Sequence, residues 1–294
     1  MSRAADRFAV VMVAVGAMLW GTDTLFRVPL LHHLSGNGLI QSTQLVLMEH
    51  VILVVCSAPL LWLARHQIRR LTGRQWAAIV AIGVGASGLA TVLFTLSFGY
   101  GHFIETLLLQ KTQPLIAIPD PLHPQNAWAD FHIAAALFAL GAAALWGAAT
   151  VFGRYALADV SFTALTGLRF TTALPALVVL LWLEGGFSAF TVYRAEDAPL
   201  YLGLALLPGL LAMLLYYRGL ASTPAALATL AELAFPITGV LVNLFLVTPR
   251  QTITPFQIAG IVILWAAIAV LDRINLRRPA VLPIGARPAI SSAA

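Results

Sequence analysis

Charge is scarce in this chain. Only 10% of its 294 residues are Asp, Glu, Lys or Arg, against about 25% in an ordinary soluble domain. That shortage, with 60% hydrophobic residues and a mean hydropathy of +0.89, excludes a soluble globular protein. Spanning segments of about 20 apolar residues take up most of the length. Cysteine is nearly absent: Cys56 alone excludes an intrachain disulfide. Nothing in the pattern reads as a strand, and open sheet edges are not tolerated in lipid. There is no nucleophile elbow, phosphate loop, zinc-protease motif or aspartate-rich cluster, so neither a metal nor a cofactor is expected. GVGASG at residues 83–88 fits a dinucleotide fingerprint in letters only. It lies inside an apolar run with no strand before it, where small residues serve close helix packing. The adjacent His32 and His33 have no third ligand nearby, which argues against a metal site. The net charge of +5 does not point to nucleic acid, because the arginines sit in short loops and in the tail, where they set membrane orientation.

What is present is a series of apolar runs. They cover roughly residues 8–26, 42–63, 75–98 and 102–118, then 131–152, 161–183, 200–217, 225–247 and 254–271. The loop with Arg65, Arg69, Arg70 and Arg74 marks the cytoplasmic side. The stretch PDPLHPQNAWAD, without Lys or Arg, reads as a loop on the far side. Arg3 and Arg7 before an apolar run suggest a signal peptide, but the same run recurs internally. LWGTDTLF (Leu19–Phe26) matches LWGAATVF (Leu145–Phe152), Trp62 matches Trp182, and Pro114 matches Pro236. This register sets Glu49 opposite Arg169 and Gln110 opposite Glu232. Such repeats are the sequence trace of transporter folds, with the site at the repeat interface.

The halves are unequal, with four runs before the far-side loop and five after it. Nine spans would place the N-terminal arginines and those of the tail (Arg273, Arg277, Arg278, Arg287) on opposite sides. Ten would place both in the cytoplasm, leaving only Arg27, Arg194 and Arg250 outside. The expectation is therefore that a fifth helix is missing between Ile118 and Pro119.

These features together resemble the drug/metabolite transporter superfamily and, within it, the EamA-type ten-helix exporters. The residues that carry the resemblance are Trp20-Gly21 and Trp146-Gly147, Arg169-Phe170, Pro114 and Pro236. Glu49-His50 stands where the family has a second Arg-Phe, and the Gly-Glu after the ninth helix is absent. The polar wall is similar to that of the YddG-like branch, which implies export of aromatic and other neutral amino acids. The fold so implied is all-α, a ten-helix inverted-repeat (5+5) bundle in the inner membrane with both termini cytoplasmic. Residues 1–118 form the first repeat, 119–130 an outer loop, 131–273 the second repeat and 274–294 a tail.

Candidate substrate-cavity residues are Trp20, Glu49, His50, Glu105, Gln110, Lys111, Trp146, Arg169, Tyr217 and Glu232, with Pro114 and Pro236 as kink points. Charges at this depth are costly and mark either function or structural pairing. A zwitterionic amino acid suits partners of both signs, His50 reads either as a proton relay or, as is commoner for a lone histidine, as a satisfied bundle residue, and the tryptophans serve as a cage or as packing. Lys111 is expected to pair with Glu232 or Glu49. The expected partners are a small-molecule substrate, the lipid bilayer and protons, and not nucleic acid. The rival readings are an exporter of cationic drugs or another metabolite, a membrane-embedded transferase acting on lipid, and a scaffold.

Overall fold

The computed structural model describes residues 3–34, 38–99 and 133–248, with Ile258 and Val262. The fourth apolar run, all of the ninth but Ile258 and Val262, the Ile118–Pro119 junction and the tail lie outside the described residues. So do Arg250, Glu105, Gln110, Lys111 and Pro114.

Among the described residues every regular element is helical, and seven helices are long and apolar enough to cross a membrane. They are α1 (Phe8–His33), α2 (Leu39–Leu63), α3 (Gly73–Phe98), α4 (Ile133–Ala156), α5 (Phe162–Gly185), α6 (Ala195–Leu220) and α7 (Leu227–Phe245). Local sequence sets their ends. Thr72 caps α3 by accepting from the Gln75 N–H, while the Gln75 side chain accepts from the Thr72 N–H at 2.8 Å. Ser161 caps α5 by accepting from the Ala164 N–H. Gly186, at φ 60°, ends α5 in a conformation that favours glycine. The outer faces remain apolar: Val55, Leu183 and Phe245 are each more than 60% exposed, as surfaces that meet lipid must be.

The packing directions relate the two halves. Leu61 meets Gly167, and the Thr43 hydroxyl donates to Glu184 at 3.3 Å, so α2 and α5 run antiparallel. The Trp146 indole N–H donates to the Ala86 carbonyl at 2.7 Å while Gly141 meets Leu93, so α3 and α4 run antiparallel. Gly16 lies against Ala212 and Tyr216, and Gly219 against Ala9 and Val13, so α1 and α6 do likewise. Exchanging α1 with α4, α2 with α5 and α3 with α6 maps this contact set onto itself and reverses each helix. That is the relation of an inverted repeat. The exchange reaches fine detail. Both α3 and α6 carry a π-helical stretch, Ala81–Leu89 and Ala205–Leu211. Trp20 of α1 packs on Tyr216 of α6 at 4.9 Å between centroids, and Trp146 of α4 packs on Phe94 of α3 at 5.2 Å.

Two helices are interrupted. In α1, helix Arg3–Trp20 stops and Thr24–His33 restarts, with the Thr22 and Asp23 N–H groups reaching three residues back. In α7, Ala225–Ala231 stops and Ala234–Phe245 restarts, with Glu232 at the break. Pro236 lies in the first turn of the restart, where its missing N–H costs nothing. The sequence pointed to the proline; the break comes four residues before it.

α1 and α6 approach closely enough that a Cβ on Gly219 would stand 2.5 Å from the Ala9 carbonyl oxygen, whereas one on Gly147 would meet nothing within 4 Å. Gly219→Leu is expected to lower stability by about 1–3 kcal/mol through overpacking. Gly147→Ala is expected to change it little. Detergent melting curves of the two variants check the contrast; equal melting would mean that α1 and α6 do not pack this way.

Candidate functional site

One cavity lies between the halves. Trp20, Glu49, His50, Trp146, Arg169, Tyr217 and Glu232 all line it. Both helix breaks reach it through Trp20, Asp23, Glu232 and Phe235, and both π-helical stretches through Ser87, Pro208 and Gly209. Helix interruptions are tolerated at membrane depth where they border a cavity. Pro236 is buried but does not line it.

Two arginines on the wall differ in kind. Arg27, assigned from sequence to the outer side, is 1% exposed and inside the span. The reason for the correction is local. Asp23, one helical turn earlier, receives two hydrogen bonds from the guanidinium at 2.6 and 2.7 Å. Glu49 receives a third at 3.0 Å, and the Thr95 hydroxyl a fourth at 2.8 Å. A bidentate carboxylate pair of this kind is strong and directional, and it carries the charge into the bundle. Two carboxylates share one cation. Glu49 thus has Arg27 as a partner, while Lys111, expected to pair with Glu232 or Glu49, lies outside the described residues. The sequence signal that was missed is the Asp23–Arg27 spacing of four within an apolar run.

Arg169 has no such partner. Its Nε donates to the Ser87 hydroxyl at 2.6 Å, and its Nη1 to the Tyr217 hydroxyl and the Met213 sulfur at 3.0 Å each. Its Cζ lies 5.6 Å from the Tyr217 ring centroid and 6.0 Å from that of Phe170. No carboxylate among the described residues lies within 4 Å of it. Nη2 makes no hydrogen bond among the described residues.

Glu232 accepts from the Tyr216 hydroxyl at 2.7 Å and from Thr150 at 3.4 Å. His50 donates its Nδ1 hydrogen to the Val46 carbonyl at 2.8 Å, and its buried Nε2 has no partner among the described residues. The His50 ring meets Phe170 edge-on at 5.9 Å. These two residues are equivalents under the exchange of halves, so their contact lies where the exchange axis passes. The aromatic wall is completed by Trp20, Trp146, Phe94 and Tyr216. Trp62 and Trp182, by contrast, are 68% and 50% exposed on the periphery, as membrane-interface anchors are. His33 pairs with Asp197 across α1 and α6, and no metal-binding cluster occurs among the described residues.

Residues 133–271 match the model of the EamA-like transporter family. The chain is also similar to "Riboflavin transporter ImpX" of Fusobacterium nucleatum, 26% identical over 306 residues, covering 90% of this chain and 97% of that protein. The matched length exceeds the 294 residues here, so the relative has positions without a counterpart in this chain. With seven apolar spans among the described residues, these similarities support a multi-pass membrane transporter whose residues 133–271 are EamA-like.

Proposed function

We propose that this protein moves a small aromatic metabolite across the inner membrane by alternating access through the central cavity, with both termini in the cytoplasm. The observation that carries the reading is the composition of the cavity wall at the junction of two inverted halves. It offers rings for stacking, one buried cation without a carboxylate partner among the described residues, and a pair of carboxylates gathered on a second cation. Transporter sites lie at such junctions, bordered by broken helices. An aromatic amino acid would place its carboxylate on Arg169 and its ammonium toward Asp23 and Glu49. A second reading, riboflavin, is favoured by the similarity to a protein of that name. The complete transporter in this proposal has ten spans, the last of them after Phe245.

The test is flux in proteoliposomes. Tryptophan, phenylalanine and riboflavin are offered separately, with and without a pH gradient. Saturable, protein-dependent movement of at least one is expected, and it should fall tenfold or more in Trp146→Ala, which removes a cavity ring. Failure of every aromatic solute to move above empty vesicles would sink the proposal.

A further inference from the structure

The proposed function leaves His50 without a role, and His50 lines the same cavity as Arg169. Arg169 is 5% exposed, and its Nη2 carries hydrogens with no acceptor among the described residues. His50 is 2% exposed, and its Nε2 has no partner among them. The tautomer follows from the neighbour: the Val46 carbonyl can only accept, so Nδ1 bears the hydrogen. A buried imidazolium with no hydrogen-bonded carboxylate would be costly. In the neutral ring Nε2 is then a bare lone pair, able only to accept. Buried polar groups ordinarily find partners, so an acceptor and a donor on one cavity wall, neither with a partner among the described residues, suit a ligand that supplies the complements. Phe170 lies between them, its centroid 5.9 Å from the His50 ring and 6.0 Å from the guanidinium carbon.

We propose that the cavity selects planar cyclic amides or imides, reading a ring carbonyl with Arg169 Nη2 and the adjacent ring N–H with His50 Nε2, while the aromatic wall holds the ring face. This rests on the cavity being the transport site. The chemistry separates it from the amino acid reading. A carboxylate satisfies Arg169 but turns oxygen lone pairs toward Nε2. An ammonium satisfies Nε2 but sets a cation beside Arg169. A cyclic amide edge meets both groups without net charge. A site built to hydrogen-bond an N–H rejects the analogue that lacks it, because its buried acceptor is then left unpaired.

The test is equilibrium binding to the full chain in detergent. The probes are riboflavin, an imide, its N3-methyl derivative, in which the N–H is replaced by N–CH3, and tryptophan. Wild-type protein is expected to bind riboflavin at least tenfold more tightly than the N3-methyl compound. His50→Gln, which keeps an acceptor, should preserve most of that preference. His50→Phe, which copies the residue at the equivalent position in the other half, should reduce it to less than twofold. The wild-type comparison needs no variant, so misfolding of either substitution leaves the test intact. Equal binding of the two flavins by wild-type protein overturns the inference, as does a preference that survives in folded His50→Phe. Binding of tryptophan without riboflavin overturns the inference and leaves the proposed function standing, whereas absence of binding by any probe overturns both.

Discussion

Arg27→Met should lower the stability of the protein by about 3–5 kcal/mol, the cost of stripping one partner from a buried ion cluster. The guanidinium is engaged through all three nitrogens, by Asp23 twice, by Glu49 and by Thr95. Its loss leaves two carboxylates facing each other in the bundle with no cation between them. The penalty belongs to the orphaned charges and not to the missing side chain. Neutralising them as well, in the triple variant Asp23→Asn, Arg27→Met, Glu49→Gln, should therefore recover most of the loss. Melting curves in one detergent compare the three proteins. If the single variant melts with wild type, the cluster is not what holds the second half of α1 to α2 and α3.

That cluster also shows where the sequence stops being legible. Apolar length is a local property, so seven spans could be read from hydropathy to within a few residues. The errors fall where a charge is hidden by its partner. The first apolar run stops at Phe26, one residue before Arg27, yet the helix continues to His33. The tryptophans that carry the sequence match each pack on a ring of the cavity wall, Trp20 on Tyr216 and Trp146 on Phe94. Pairing was not legible. Glu49 and Arg169 are equivalents of opposite sign, but they do not bond to each other. Glu49 reaches back to α1, and Arg169 reaches across to Ser87 of α3 and to Tyr217 and Met213 of α6. Which partner a buried charge takes depends on how four helices rotate about their axes, and no periodicity encodes that. The breaks escaped too. Prolines mark where a ladder cannot form, but α1 is interrupted at Gly21–Asp23 without one, and α7 breaks upstream of its own.

The second buried arginine should behave in the opposite way. Arg169→Met is expected to leave the melting temperature unchanged or to raise it, while flux of the transported aromatic solute falls about 10- to 100-fold. The two expectations share one cause. Arg169 is desolvated among neutral partners, a hydroxyl, a phenol and a thioether, and these return less than a carboxylate would. Methionine fills similar volume without that cost. What it removes is the donor at Nη2, and a hydrogen bond to a charged group is worth about 1.5–3 kcal/mol, or roughly one to two decades in affinity. Arg169→Lys sharpens the reading. It keeps the charge but loses the planar fork, so a substrate held by simple ion pairing should tolerate it, whereas one held along a hydrogen-bonding edge should not. A large loss of stability in Arg169→Met, with flux per folded molecule unchanged, would make Arg169 a strut between α3, α5 and α6 and remove it from the substrate's path.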